Sequence, residues 1–349
     1  AFSMITCQLG SCISYIVFVS SNLNALVPSV PLWKFSLLLL VVLLPLSLLK
    51  GTKHLGFTSH LGNLSLLVAI ITIYYCGFSH GVEAPQDVEE VVPQGASVIF
   101  GVALFMFSAH GEIVSIEQDM VERPTFLPIL RWGFLGIMFL YLQFGILVYL
   151  FFGDYTGLHW DAALKKWVSG TIFDNLPAGA FVSVVKMCVS VALIFQLPIT
   201  LLPATATFEE ILGLNDPEIA ETEEAYFQSS EETKSFATIQ TPAENKQVHN
   251  GRSNRCLELK RNALRVSTMI ICVLIAIALP NFEVMISLTG AFSNGIVAFI
   301  LPPLFYQKIC GKSMSTMEKV WNVAVLAFGT IGSLYATVVI ILQQFGVDE

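Results

Sequence analysis

Five consecutive residues, Ser108-Ala109-His110-Gly111-Glu112, place a histidine and a carboxylate within an apolar stretch of the chain. The imidazole has an unperturbed pKa of about 6.5, so His110 could carry a proton near neutral pH. Glu112 could do the same where burial favours its protonated form. Such residues are costly in lipid and normally face protein or a water-filled cavity. This group therefore predicts proton transfer, or the binding of a charged molecule, within a membrane.

The same group interrupts a helix. Only residues 96–107 are cleanly apolar, whereas a continuous spanning helix needs about 20 mostly apolar residues. A break at Ser108 exposes backbone N–H and C=O groups that can hold the charged ends of a small molecule. A half-helix beginning there would carry about half a positive charge at its N-terminus, which suits a carboxylate. A spanning helix with a glycine kink is the alternative; we favour the break.

Other polar side chains in or beside apolar segments each allow two interpretations. The phenol of Tyr15 could bond a carboxylate or pack against a neighbouring helix. Lys186 lies about two turns into its segment, where a partner or snorkelling would hold it, so we rank it as structural. Glu117 and Asp119 are expected to form solvated pairs beside Arg123. The alternative for Glu117 is proton coupling.

Small residues recur in the later segments. Hydroxyl and amide groups there could line a path or join helices, and glycines permit close helix approach. The polar residues are Ser190, Thr200, Ser287, Thr289, Ser293 and Asn294, and the glycines are Gly101, Gly290 and Gly295.

Composition sets the class of protein. The 349 residues are 54% hydrophobic and 13% charged, with a mean hydropathy of +0.70, against about 25% charged residues in soluble domains. The sequence lacks a phosphate-binding loop, an HExxH motif and metal-like spacing of its seven cysteines. We therefore expect an all-α polytopic membrane protein that is not an enzyme and holds no metal.

Apolar runs predict about nine transmembrane helices. The broken segment is the fourth of them, and a hydrophilic segment at 208–261 separates the sixth from the seventh. Its first part, through Glu232, holds nine acidic residues and no lysine or arginine, a composition typical of a disordered linker. The predicted spans are residues 2–22, 32–49, 63–78, the broken segment 95–124, and residues 133–152, 179–202, 263–279, 284–306 and 320–345.

The distribution of basic residues predicts the orientation. If the N-terminal side is cytoplasmic, fourteen of the 18 lysines and arginines fall on the inner side and three on the outer side. Cytoplasmic loops carry the excess of positive charge in membrane proteins. The linker would then be cytoplasmic, and the C-terminus would lie across the membrane.

Several motifs resemble the amino acid/auxin permease family, which includes proton-coupled and vesicular amino acid transporters. FGVALFMFSAHGEI, with Glu117, Met120, Pro124 and Phe126 after it, looks like the family's sixth helix. Residues 174–212 are also similar, with an Asn-Leu-Pro entry and prolines at matching places. Residues 261–306 resemble the ninth and tenth helices, and the opening CQLGSCISYIVFVSSNL resembles the third.

The resemblance implies a LeuT-type (amino acid/polyamine/organocation) transporter fold. Residues 1–207 would hold family helices three to eight, and residues 262–349 helices nine to eleven. The family's first two helices, including a broken first helix, are expected to be missing from this sequence. The resemblance also makes Phe105 and Phe107 walls of a substrate cavity that Tyr15 faces. Packing against lipid or core is the alternative for the two phenylalanines.

We therefore expect a secondary active amino acid transporter that works by alternating access. H+ is the expected coupling ion and Na+ the alternative, with no cofactor. An amino-acid sensor, or a truncated isoform acting through protein partners, is the alternative function. The expected partners are an amino acid and the lipid bilayer, with no nucleic acid, in a plasma, vacuolar or endolysosomal membrane. The expected substrate-binding residues are Tyr15, Phe105, Phe107, Ser108, Ala109, His110 and Gly111, with His110 and Glu112 as proton-coupling candidates.

Overall fold

The structure, a computed structural model, describes residues 2–48, 55–80, 95–108, 123–153, 158–161, 166–169, 171–177, 179–214 and 251–344, with single positions at 113, 117, 120 and 156. Nine helical segments lie in these ranges. They are α1 (Phe2–Leu26), α2 (Leu32–Ser47), α3 (Leu55–His80), α4 (Ala96–Met106), α5 (Phe126–Phe152), α6 (Ala180–Ile211), α7 (Gly251–Ala278), α8 (Phe282–Cys310) and α9 (Thr316–Gln344). Two π-helical turns, Gly290–Asn294 and Ile296–Ile300, lie within α8.

Each predicted span overlaps one of these helices. Seven are long enough and apolar enough to cross a membrane, whereas α2 and α4 have only 16 and 11 residues. The chain is therefore a multi-pass helical membrane protein. The predicted number of nine spans, and the LeuT-type arrangement, stay predictions.

The connection between α5 and α6 departs from the all-α prediction. It contains an antiparallel hairpin of β1 (Leu158–Asp161) and β2 (Lys166–Ser169), in which Leu158 lies opposite Ser169. The strands carry tryptophan and valine, residue types enriched in strands. β1 alternates apolar and polar residues over only four positions, and β2 (Lys-Trp-Val-Ser) does not alternate, so the pattern was too weak to predict a strand pair.

Both helices beside the predicted linker extend into it. The last helical residue of α6 is Ile211. Gly213 lies just beyond the helix end, and its φ of 64° is in the left-handed region that favours glycine. The N–H of Leu214 then donates to the carbonyl of Glu209 at 2.8 Å, which closes the helix end. α7 already begins at Gly251, and residues 215–250 of the linker lie outside the described residues.

The largest cluster of buried side chains surrounds α1. α2, α6, α7 and the start of α8 pack against its middle, through residues that include Leu43, Leu197, Met269 and Met285. Buried positions of α1 include cysteines, serines and a glycine, such as Cys12. Small residues let helices approach closely where apolar burial alone gives no preference for protein over lipid. α1 is therefore the central helix of the described bundle.

A second cluster joins α1 to α3, α5 and α6. It is centred on Phe18, whose ring lies 6.1 Å from that of Phe173 and 5.3 Å from that of Phe282. Phe173 belongs to a short 3-10 turn, Ile172–Asp174, before α6. These aromatic contacts fix the start of α6 and the start of α8 against the second half of α1.

α4 packs against α8 through its backbone. A Cβ atom at Gly101 would collide with the carbonyl group of Ser287, and one at Gly290 would collide with the carbonyl oxygen of Gly101. A Cβ atom at Gly295 would collide with the side chain of Ser333 on α9. The predicted role of these three glycines in close helix approach is confirmed.

Replacing Gly101 with alanine should separate α4 from α8, because the new methyl group meets backbone atoms that cannot rotate away. Overpacking of this kind costs about 1–3 kcal/mol of stability. We expect Gly101→Ala to lower the melting temperature of the detergent-solubilised protein. Gly136→Ala on α5 is the control, since a Cβ atom there meets open space. Equal melting temperatures for the two variants would contradict the contact.

Candidate functional site

α4 ends where the sequence predicts an interruption. Its last helical residue is Met106, and Phe107 leaves the helix with φ −99° and ψ 21°. Eleven residues extend about 16 Å, which is about half of the hydrocarbon thickness. Ser108 follows as half-buried, non-helical backbone. Ala109, His110, Gly111 and Glu112 lie outside the described residues, so the second half-helix and their roles stay predictions.

Most carbonyl groups at this helix end have protein donors. The N–H of Phe107 donates to the carbonyl of Ala103 at 3.3 Å, and that of Ser108 to Phe105 at 3.2 Å. The carbonyl of Leu104 accepts from the side-chain amide of Asn294 on α8 at 3.3 Å. The sequence predicted unpaired carbonyls here, but three of the last four in α4 are bonded. A ligand cation at these three would use their second lone pairs.

Asn294 joins three helices. Its side chain is buried at 2% exposure, and its Oδ1 accepts from the thiol of Cys7 on α1 at 2.6 Å. One residue earlier, the hydroxyl of Ser293 bonds that of Thr6 at 2.9 Å. Asn294 and Ser293 therefore join helices, which is one of the two roles predicted for them.

The sequence reasoning missed Thr6 and Cys7 as partners of this junction. A signal was present, since small polar residues recur on α1 at intervals of three and four: Ser3, Thr6, Cys7, Gly10, Ser11 and Ser14. Such spacing places them on one helix face. Gly10 of this series lies against the side chain of Thr289 on α8. A face of small and polar residues on one helix predicts a second helix with a similar face packed against it. Here that second helix is α8.

Phe107 connects the end of α4 to α5. Its ring stacks with that of Phe134 at 6.4 Å and meets that of Tyr141 edge-on at 5.7 Å. Both partners lie on α5, and all three are half-buried. Phe105 is also half-buried, with its backbone nitrogen close to Gly290. These contacts put two predicted site residues beside the end of α4, and their role as cavity walls stays a prediction.

Tyr15 lies at a different level of the bundle. It packs against the cluster that α1 forms with α2, α6 and α7. Along α1 it is eight residues from Cys7, or about 12 Å at the helical rise. Cys7, not Tyr15, is the α1 residue at the height of the α4 end. A substrate contact by Tyr15 stays a prediction.

A family model described as transmembrane amino acid transporter protein matches residues 1–342. The chain belongs to this family. It is 25% identical to the amino acid transporter ANT1 of Arabidopsis thaliana, over 96% of this chain and 71% of the relative.

Two further relatives are also named as amino acid transporters. The vacuolar amino acid transporter 3 of Schizosaccharomyces pombe is 23% identical over 89% of this chain and 42% of its own length. The vesicular inhibitory amino acid transporter of Homo sapiens is 24% identical over 93% of this chain and 55% of its own length. The chain therefore spans from 42% to 71% of the length of these relatives.

Membership of the transmembrane amino acid transporter family confirms two predictions. The resemblance deduced from the sixth, ninth and tenth helices was correct, and the family and its relatives are transporters rather than enzymes. A sensor without transport activity is not favoured, because the relatives are named as transporters.

Polar groups on α6 are bonded within the protein. Lys186 lies 3.7 Å from the carboxylate of Asp174, and their side chains are only 12% and 19% exposed. Asp174 also accepts from the backbone N–H of Thr171 at 2.8 Å. The hydroxyl of Ser190 accepts from the amide of Asn22 on α1 at 3.3 Å, and that of Thr200 donates to a carbonyl of its own helix. The structural interpretation of Lys186 is supported.

The ion pair predicts a pattern of stability. Lys186→Met leaves the carboxylate of Asp174 partly buried without its cation, which costs about 1–3 kcal/mol. Adding Asp174→Asn removes the unpaired charge, since replacing both partners of a buried pair is often close to neutral. We expect the single variant to melt at a lower temperature and the double variant to regain at least half of the loss. A double variant no more stable than the single one would contradict the pairing.

Proposed function

We propose that this chain is a secondary active transporter that moves amino acids across a membrane by alternating access around the end of α4. One observation carries the proposal: in a member of the transmembrane amino acid transporter family, an apolar helix stops after 11 residues beside the middle of α8. The proposal takes the substrate class from the names of the relatives.

Backbone groups need hydrogen-bond partners within a membrane. An unpaired N–H or C=O costs several kcal/mol in the hydrocarbon region, so a helix stops there only where protein or a water-filled cavity replaces lipid. Transporters use such stops to hold charged ends of their substrates. Here the last turn of α4 is bonded to α8 through Leu104 and Asn294, and the ring of Phe107 contacts α5. In our proposal the substrate lies beyond Ser108, where residues 109–112 continue the chain.

Proton coupling is the second part of the proposal. His110 and Glu112 are titratable groups four and six residues beyond Met106, the last residue of α4. An imidazole with a pKa near its reference value of about 6.5 changes charge within the physiological range. In our proposal His110 exchanges a proton as the substrate binds and leaves, and a LeuT-type rocking motion exposes the site to either side in turn.

His110→Ala tests the coupling. We expect wild-type membrane vesicles to accumulate amino acid under an imposed pH gradient, and His110→Ala to lose the gradient-driven part of the uptake between about pH 5 and 8. His60→Ala is the control, because His60 is an exposed histidine on α3. Uptake should be normalised to protein in the membrane. Wild-type pH dependence in His110→Ala would return this residue to a structural role.

Orientation and location complete the proposal. The bias of basic residues favours a cytoplasmic N-terminal side and a cytoplasmic segment 215–250. The names of two relatives, vacuolar and vesicular, favour an internal membrane over the plasma membrane. The amino acid would then move between the cytoplasm and the lumen of that compartment.

Protease protection tests the orientation. In sealed vesicles with their cytoplasmic face outward, a protease site inserted within 215–250 should be cut, because that segment is expected on the cytoplasmic side. The matched control is the same site inserted between β1 and β2, which should be protected, since one membrane crossing, α6, separates the hairpin from this segment. The reverse pattern would contradict the orientation.

A further inference from the structure

We propose that Asn294 is a positioning residue of this transport site, because its amide fixes the end of α4 from which the site begins. The role of Asn294 in transport rests on the proposed function. Its structural part, the hold on α4, stands on hydrogen bonds among described residues. Asn294 acts through the backbone of α4 and contacts no substrate in this proposal.

The orientation of the amide follows from its neighbours. The carbonyl oxygen of Leu104 can only accept a hydrogen bond, so the NH2 group of Asn294 must face it. The opposite end of the amide faces the thiol of Cys7 at 2.6 Å, and a thiol can donate to an oxygen. Both contacts require the same orientation. Cys7 thereby holds the amide in the position that serves Leu104.

The helix that carries Asn294 is shaped for this contact. Asn294 is the last residue of the π-helical turn Gly290–Asn294. A π-helical turn holds more residues than an α-helical turn, and such turns are frequent at functional sites. Gly290, at the start of the turn, lies against the backbone of Gly101 on α4. The absence of a side chain at both positions lets the short Asn294 side chain reach the backbone of α4.

The carbonyl that Asn294 bonds belongs to the last turn of α4. Leu104 lies in the last turn of α4, where carbonyls have no partner further along the helix. The neighbouring carbonyls, of Ala103 and Phe105, accept from the backbone of Phe107 and Ser108. Among the described residues, the carbonyl of Leu104 alone of these three is bonded by a side chain from another helix, Asn294 of α8. Through this bond, a movement of α8 or α1 would shift the end of α4.

Hydrogen exchange tests the hold on α4 without any transport assay. We expect Asn294→Ala to speed the exchange of backbone amides in residues 103–108 about fivefold, as for the loss of one hydrogen bond. Ser293→Ala is the matched control, since it removes a bond of the same π-helical turn to Thr6 but none to α4. Cys7→Ser is the conservative variant, because a hydroxyl can also donate to the amide oxygen. Both should exchange like the wild type.

Transport kinetics test the positioning. We expect Asn294→Ala to raise the KM for the amino acid about fivefold at similar protein abundance, and Cys7→Ser to keep it within twofold. Unchanged exchange of residues 103–108 in Asn294→Ala, or the same acceleration in Ser293→Ala, would overturn the inference. Faster exchange with an unchanged KM would also overturn it, because α4 would then be held without positioning the site. If the wild type carries no amino acid, the proposed function fails, while the exchange experiment still decides the hold on α4.

Discussion

The backbone contact between α4 and α8 is the constraint from which the described site follows. Gly101 and Gly290 leave no room for a Cβ atom between the two helices. At that separation a side chain as short as Asn294 can reach a carbonyl of the last turn of α4. α1 then closes the group through Cys7 and Thr6. A wider helix spacing would leave the half-buried carbonyl of Leu104 without this donor at the point where α4 stops.

The same physical rule organises the rest of the bundle. Lipid offers no partner to a polar group, so polar side chains are expected to bond their own helix or a neighbouring one. Ser20 of α1 bonds Ser36 of α2 at 2.9 Å. At the other end of the bundle, the buried carboxylate of Glu209 on α6 lies 3.1 Å from Arg265 of α7. This pair ties together the two helices that the segment 215–250 connects in sequence.

The sequence predicted much of this arrangement because membrane helices are recognisable as long apolar runs. In the part of the chain that the structure describes, it located the nine helices α1 to α9, the end of α4 beside Ser108 and the close approach of three glycines. It did not predict that Leu104 would be bonded, since a hydrogen bond between residues 190 positions apart leaves no local pattern. The hairpin at 158–169 was missed because its local pattern is weak: only one of its two four-residue strands alternates apolar and polar residues.

One measurement tests the central claim most directly: a cryo-electron microscopy structure of the chain in lipid nanodiscs, with the amino acid that gives the greatest uptake in excess. The account predicts that α4 ends at Met106 with Asn294 bonded to Leu104, and that ligand density lies within hydrogen-bond distance of residues 107–111. An unbroken helix through residues 108–112, or ligand density away from the end of α4, would contradict it.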